Sequence, residues 1–161
     1  MKGISIRRFS PEDTNSIIVL ATRNLLEVNI RDYPRDLMEK FAAMYTPDYV
    51  SYLAGKGHCY VAGRNREVVG CGTVMLFRGR EEDESVLLSI YVLPELQGLG
   101  IGKRIMAALE SDPYFVRSRR IEIPATLTAC GFYEKFGYGY KNGRKEPDDE
   151  GAYHMEKFRS I

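Results

Sequence analysis

Hydrophobic positions recur with a helical period over most of the first third of the chain, after one short alternating segment. Alternation of apolar and polar residues predicts a strand over residues 2–8 (KGISIRR). Ser10 at a cap position, followed by a proline, favours a helix that carries apolar residues at helical spacing as far as the break at 29–34. The helical pattern then returns twice, over about 35–45 and from a Thr-Pro-Asp start over about 46–54.

The period then changes to two, which indicates a sheet. Residues 58–63 and 67–77 are separated by three polar residues and predict a hairpin, and 84–93 predicts a strand that Pro94 ends by removing a ladder donor. Helical and strand patterns follow in turn: a helix over 98–110, a strand over 119–123, a helix over 126–136, and strands over 138–143 and 152–159. This order predicts an α/β fold of the α+β kind with a mixed sheet, rather than a doubly wound one.

Length, charge and composition limit the classes of protein that the chain can represent. The 161 residues fit one domain, and the net charge of +1 gives no overall field that would attract nucleic acid or anionic membrane. No apolar run reaches the roughly 18 residues of a membrane span, and the first residues lack the apolar core of a signal peptide. The three cysteines have no metal-ligand spacing. We therefore expect a cytoplasmic protein without a structural metal.

The segment ELQGLGIGKRIM, residues 95–106, contains three glycines at alternate positions and admits several nucleotide-binding motifs. A P-loop fails because Gln97 replaces its first glycine and Arg104 replaces its metal-binding hydroxyl. A dinucleotide fingerprint would use Glu122 for the ribose. It places Lys103 where the third glycine is needed, however, and the preceding strands are antiparallel in character.

The third motif, Q/R-x-x-G-x-G/A, fits without exception. Its small residues would let backbone N–H groups at a helix start close around a pyrophosphate, with Lys103 and Arg104 adding positive charge. A glycine turn that serves only close packing is the alternative. The six matching residues are Gln97, Gly98, Leu99, Gly100, Ile101 and Gly102.

Residues 90–102 (IYVLPELQGLGIG) resemble the acyl-CoA-binding segment of the GNAT superfamily of N-acetyltransferases, and residues 126–138 (TLTACGFYEKFGY) resemble a later motif of that family. A helix and a strand separate the two segments, as in the family, and residues 154–157 resemble its last strand. The resemblance implies a GNAT-like fold over one acyl-CoA N-acyltransferase domain, residues 1–161, with a parallel, splayed strand pair in a mostly antiparallel sheet. It also implies that the glycines hold the pyrophosphate of acetyl-CoA.

The resemblance assigns roles to particular residues. The backbone of Ile90, Tyr91 and Val92 would pair with the pantetheine amides, and the Val92 N–H would polarise the thioester carbonyl. Tyr133 matches the general acid that protonates the departing thiolate. Thr126 stands where many members carry an asparagine that contacts the cofactor, and its hydroxyl would take that contact.

The group that accepts the proton of the amine is not evident from the motifs. Glu84 is the tentative base, with Asp32 or water as alternatives. Cys130 could carry the acetyl group in a ping-pong scheme, but direct transfer in a ternary complex is preferred because no activating group adjoins it. His58 and His154 are interpreted as structural, with a place in an acceptor pocket as the alternative for His154. Asp32, Tyr33 and the acidic turn at 148–150 would suit a cationic acceptor.

The sequence therefore predicts an N-acetyltransferase that moves an acetyl group from acetyl-CoA to a primary amine of a small molecule or a protein. A non-catalytic acyl-CoA-binding module would use residues 97–103 and leave Tyr133 idle. A nicotinamide-dependent oxidoreductase would need Glu122. The expected partners are the amine substrate alone, with neither nucleic acid nor membrane, and a homodimer is left open.

Overall fold

The computed structural model describes residues 3–160, which form a seven-stranded sheet with helices packed on both faces. Lys2 of the predicted first strand lies outside the described residues. The strands are β1 (Ile4–Arg8), β2 (Gly57–Arg64), β3 (Glu67–Leu76), β4 (Glu84–Val92), β5 (Arg120–Ala125), β6 (Gly139–Tyr140) and β7 (Tyr153–Phe158). The helices are α1 (Thr14–Arg23), α2 (Arg35–Met44), α3 (Pro47–Lys56), α4 (Ile101–Glu110), α5 (Pro113–Val116) and α6 (Cys130–Glu134). Among residues 3–160, no helix combines the length and the apolar character that a membrane span requires.

The strand order is β1-β2-β3-β4-β5-β7-β6, and every neighbouring pair is antiparallel except β4 and β5. The mixed, mostly antiparallel sheet with one parallel pair is thus confirmed. That parallel pair is short, because its register runs only from Glu84 opposite Arg120 to Val86 opposite Glu122. Beyond these three pairs the two strands separate, which leaves the last six residues of β4 without a neighbour on that side.

The separation coincides with an irregularity in β4. The register between β3 and β4 shifts between Cys71 and Thr73, and Ser89 has a φ of 54°. A left-handed conformation at a residue other than glycine costs of order 1–3 kcal/mol and persists only where the surrounding contacts impose it. A bulge of this kind bends the strand and re-aims its side chains. The end of β4 therefore turns away from β5.

Helix α4 packs unusually close to the sheet because β3 carries glycine where the helix crosses it. A Cβ added at Gly70 would lie 2.8 Å from the Cδ1 of Ile105, and one at Gly72 would lie 2.8 Å from Ile105 and 2.9 Å from Leu109. Real Cβ atoms do not approach so closely. The two glycines thus fix the depth of α4, whose first residues follow the glycine motif.

The element boundaries differ from the sequence expectation in places that turn chemistry explains. Helix α4 begins at Ile101 rather than at 98, because Gly98 and Gly100 adopt φ values of 79° and 90°. The strand predicted over 138–143 shortens to β6, and the helix predicted over 126–136 shortens to a 3₁₀ turn and α6. Helix α5 was not predicted, although the side chain of Asp112 caps it by accepting from the Tyr114 N–H at 2.8 Å.

Candidate active site

A cavity of about 420 Å³ lies where β4 and β5 separate. Most of the residues that the sequence assigned to the cofactor, and the predicted acid Tyr133, line it together, although they come from β4, α4, α6 and the turns before the two helices. Those residues are Ile90, Tyr91, Val92, Gln97, Gly98, Gly100, Gly102, Lys103, Thr126 and Tyr133.

The remaining residues of the glycine motif point elsewhere. The Leu99 side chain is 48% exposed, and Ile101 is buried in the core between α4 and the sheet. The Arg104 guanidinium donates to the Ile4 carbonyl at 2.6 Å, so its charge fastens β1 to α4. Lys103 is therefore the cation of the motif that faces the cavity.

The turn before α4 depends on glycine. Gly100 is the cap residue of α4 with a φ of 90°, a conformation that costs an L-residue about 1–2 kcal/mol. We expect Gly100→Ala to lower the free energy of unfolding by about that amount and to weaken coenzyme A binding, because the α4 N–H groups shift. Chemical denaturation and calorimetric titration measure the two effects.

Gly55→Ala is the matched control. Gly55 lies in α3 with an ordinary φ and with no atom within 4 Å of an added Cβ. This substitution should stabilise the protein by about 0.5–1 kcal/mol and leave binding unchanged. Equal stability of the two variants would contradict a strained turn at Gly100.

The carbonyl of Val92 is hydrogen-bonded by two side chains, and the N–H of the same residue points to the same edge of β4, away from β3. Its carbonyl accepts from Asn24 Nδ2 at 2.9 Å and from Gln97 Nε2 at 3.3 Å. The next residue donates its N–H to Val69 at 2.9 Å. Since N–H groups of an antiparallel strand alternate in direction, the Val92 N–H faces away from β3 and into the gap beside β5.

Asn24, which the sequence did not indicate as a site residue, connects three parts of the site by hydrogen bonds. Its side chain is buried, donates to the Leu20 and Val92 carbonyls, and accepts from Gln97 Nε2 at 2.9 Å. It lies in a π-helical turn, Asn24–Val28, that continues α1. Such turns are frequent at functional sites, but a single buried asparagine in a helical pattern gives no sequence signal of this role.

The hydroxyl of Tyr133 is available to a ligand. Tyr133 is only 5% exposed, it lines the cavity, and no group among residues 3–160 hydrogen-bonds to its hydroxyl. Burial raises the pKa of Tyr133 above its ordinary value. Phe132 beside it packs on Gly102, where an added Cβ would lie 3.1 Å from the ring. The phenol is thus a protonated donor in a place that disfavours its ionisation.

Thr126 meets an amide from another part of the chain. Its hydroxyl accepts from Asn29 Nδ2 at 3.2 Å, and both residues line the cavity. Asn29 is buried although it lies in the segment 29–34, where the helical pattern breaks. Asn29 thus brings a carboxamide beside the Thr126 hydroxyl at the wall of the cavity.

Glu84 and Glu122 lie outside the cavity, in an ion cluster centred on Arg120. The guanidinium of Arg120 contacts Glu84 at 3.1 Å, Glu156 at 2.9 Å, and Glu122. Burial alone would raise the pKa of Glu122, but hydrogen bonds from Arg120, Lys141 and His154 hold it below its ordinary value. Because Glu84 is paired with Arg120 away from the cavity, the structure does not favour it as the base. Both carboxylate oxygens of Glu122 already have partners, so the structure does not favour it as a ribose ligand either.

Other residues that sequence reasoning singled out are engaged in local contacts. The Tyr33 hydroxyl donates to the Gly151 carbonyl at 2.6 Å and accepts from the Leu127 N–H at 2.9 Å. Asp32 accepts from Thr128, and Asp148 binds His154 at 2.8 Å. The contacts of Asp32 and Tyr33 join the segment 29–34 to the 3₁₀ turn that precedes α6.

Cys130 and His58 are also outside the cavity. The Cys130 thiol is buried, lies 3.4 Å from the Thr126 carbonyl, and has its pKa raised by burial. His58 Nδ1 lies 2.8 Å from the buried carboxylate of Asp112, which also accepts from Tyr60 at 2.6 Å. The side chains of both residues are therefore held in local contacts away from the cavity.

The chain is similar in sequence to one protein family and in fold to solved acetyltransferase structures. The family model described as acetyltransferase (GNAT) domain matches residues 55–139, more than half of the chain. The PaiA N-acetyltransferase of Thermoplasma acidophilum, solved in complex with coenzyme A, superposes with a TM-score of 0.81 at 19% identity, covering 97% of this chain and 99% of that one. A GCN5-related N-acetyltransferase of Rhodopseudomonas palustris gives 0.78 at 21% identity, covering 99% and 98%. At these identities the likeness shows the fold. No curated protein matches the sequence.

Proposed function

The chain belongs to the GNAT acetyltransferase domain family, and from that premise we propose that it transfers an acetyl group from acetyl-CoA to a primary amine. The proposed domain is a single acyl-CoA N-acyltransferase unit over residues 1–161. One observation carries the proposal: the hydroxyl of Tyr133, which has no hydrogen-bond partner among residues 3–160, lines the same gap as the open N–H of Val92. A donor for an oxyanion and a donor for a leaving group are the two that acyl transfer from a thioester requires.

The residues of the gap fit an acyl-CoA. The splayed ends of β4 and β5 leave room for an extended arm between them, with unpaired backbone groups of β4 to bind amides. Gly98 and Gly100 open the start of α4, whose N–H groups and positive dipole end suit a pyrophosphate. Lys103 adds a charge on the same side. Gln97 and Asn24 hydrogen-bond to the Val92 carbonyl and so hold the end of β4 beside the Val92 N–H.

In the proposed reaction, the amine nitrogen forms a bond to the thioester carbon and the C–S bond breaks. The Val92 N–H stabilises the negative charge that develops on the carbonyl oxygen. Tyr133 gives its proton to the departing sulfur, and the amine proton passes to solvent. Because Glu84 is bound by Arg120 outside the cavity, its role as the base stays a prediction and no step depends on it.

Direct transfer in a ternary complex is supported by the state of Cys130. A ping-pong scheme needs an accessible thiolate, and Cys130 is buried with a raised pKa. No cationic side chain among the described residues hydrogen-bonds to its sulfur. The amine itself is therefore proposed as the nucleophile.

Thermal denaturation with acetyl-CoA, coenzyme A, NADH and ATP tests the cofactor. A ligand at about 100 times its dissociation constant should stabilise the folded protein by roughly 2.7 kcal/mol. We expect a shift of the melting temperature with acetyl-CoA and coenzyme A, and acetylated product when amines are added. A shift without turnover would indicate a non-catalytic acyl-CoA-binding module, and a shift with NADH alone would contradict the proposal.

A further inference from the structure

Three hydroxyl groups form a chain on the side of β4 that faces α1 and α3. The Tyr45 hydroxyl, from the junction of α2 and α3, lies 2.7 Å from Ser89 Oγ and 3.0 Å from the Tyr91 hydroxyl. Ser89 is the strained residue at the bulge, and it lines the cavity. These hydroxyl groups thus lie where β4 turns away from β5, beside the gap proposed above for the acyl-CoA.

Tyr45 is packed between two other tyrosines. Its ring makes edge contacts with Tyr49, at a centroid distance of 5.2 Å, and with Tyr91, at 5.8 Å. These ring contacts position the Tyr45 hydroxyl, which hydrogen-bonds to Ser89 Oγ. The serine oxygen has two lone pairs and one proton, so its bond to Tyr45 leaves capacity for a ligand.

The rest of the cavity offers little to a polycation. Among its lining residues within 3–160, Lys103 is the only one with a charged side chain. No acidic side chain is among those lining residues; Asp32, which accepts from the lining residue Thr128, lies outside the lining. A second ammonium group carried into this cavity would be desolvated without a partner, which is costly.

Resting on the proposed amine acetylation, we propose that the acceptor is a primary amine with one nitrogen on an apolar body, and that Ser89 Oγ receives its N–H. Tyr45 is a positioning residue that acts through Ser89. The hydrogen bond to Ser89 turns the nitrogen lone pair toward the thioester carbon, and the apolar body packs on Val28 and Leu88, which line the same cavity.

Steady-state kinetics with 2-phenylethylamine and with the triamine spermidine test both parts of this inference. Wild type should show a kcat/KM for 2-phenylethylamine at least about tenfold above that for spermidine. The reason is that burying an unpaired charge costs more than the roughly 1.4 kcal/mol that corresponds to a factor of ten. Tyr45→Phe keeps the ring and removes the hydroxyl. It should raise the KM for 2-phenylethylamine about tenfold and leave the KM for acetyl-CoA within about twofold.

Tyr49→Phe is the matched control, because its hydroxyl hydrogen-bonds to no group among residues 3–160 while its ring packs on Tyr45. It should leave every constant within about twofold of wild type. Equal effects of the two variants, or a preference for spermidine, would overturn the inference while leaving amine acetylation in place. No turnover of either amine or of a lysine peptide by wild type would overturn both.

Discussion

Replacing Tyr133 by phenylalanine is expected to lower kcat for acetyl transfer at least about 100-fold, within the range of about 10²–10⁴ that general acid catalysis contributes. The change removes the one hydroxyl that faces the gap without a partner among residues 3–160. It keeps the ring and its edge contact with Phe132, so affinity for coenzyme A should stay within about twofold. Rapid-quench kinetics and calorimetric titration measure the two quantities.

Tyr138→Phe makes the same chemical change in the same aromatic cluster, because the two tyrosine rings lie 6.4 Å apart. The Tyr138 hydroxyl binds Glu110 at 3.0 Å, so its loss should affect stability and not kcat. If both variants lose the same activity, packing rather than proton donation explains the effect. A Tyr133→Phe enzyme with the wild-type rate would remove this residue from the mechanism.

The pH profile offers a second test of Tyr133. Burial raises the pKa of Tyr133 above the ordinary value of 10.0. The protonated form that acts as the acid therefore persists through the mildly alkaline range, where more of the amine is neutral. We expect kcat to rise with pH and not to fall again below pH 10 through loss of this proton. An alkaline limb near pH 8 that vanishes in Tyr133→Phe would contradict the assignment of the pKa.

The sequence predicted most of the fold because its signals are local. Changes between the helical and the strand period of hydrophobic residues located nearly every strand and helix. The order of these elements excluded a doubly wound sheet. The backbone parts of the site follow the same logic: Gly98 and Gly100 adopt positive φ, and the segment that ends at Val92 lines the cavity. A motif read along the chain can indicate such features, since backbone conformation depends on neighbouring residues.

The side-chain partners of the site could not be predicted because they meet through the fold. Asn24 reaches Val92 across 68 positions, and Asn29 reaches Thr126 across 97. Tyr45 reaches Ser89 across 44 positions, at a bulge that the pattern of β4 does not reveal. Glu84 failed to reach the cavity for the same kind of reason, since β5 and β7 bring Arg120 and Glu156 beside it. One sequence records none of these pairings.

Replacing Arg120 by methionine should destabilise the protein by about 3–5 kcal/mol at pH 7, the range found when one partner of a buried ion pair is removed. The Arg120 side chain is 12% exposed and contacts three carboxylates, those of Glu84, Glu122 and Glu156. Without the guanidinium, three partly buried negative charges would face one another where β4, β5 and β7 are joined. Urea denaturation at pH 7 measures the loss.

The pH dependence of the free energy of unfolding shows whether Arg120 stabilises the protein by charge pairing or by packing. In wild type the pKa of Glu122 lies below its ordinary value of 4.5, so its contribution to stability is present above that pH and is lost in more acidic solution. In Arg120→Met the pKa of Glu122 should rise, so that protonation relieves the repulsion as the pH falls. The stability gap between the two proteins should therefore narrow from pH 7 to about pH 4. A gap that is independent of pH would mean that the arginine stabilises by packing. As a control, Arg35→Met breaks an exposed pair with Glu39 at 3.6 Å and should leave the melting temperature unchanged.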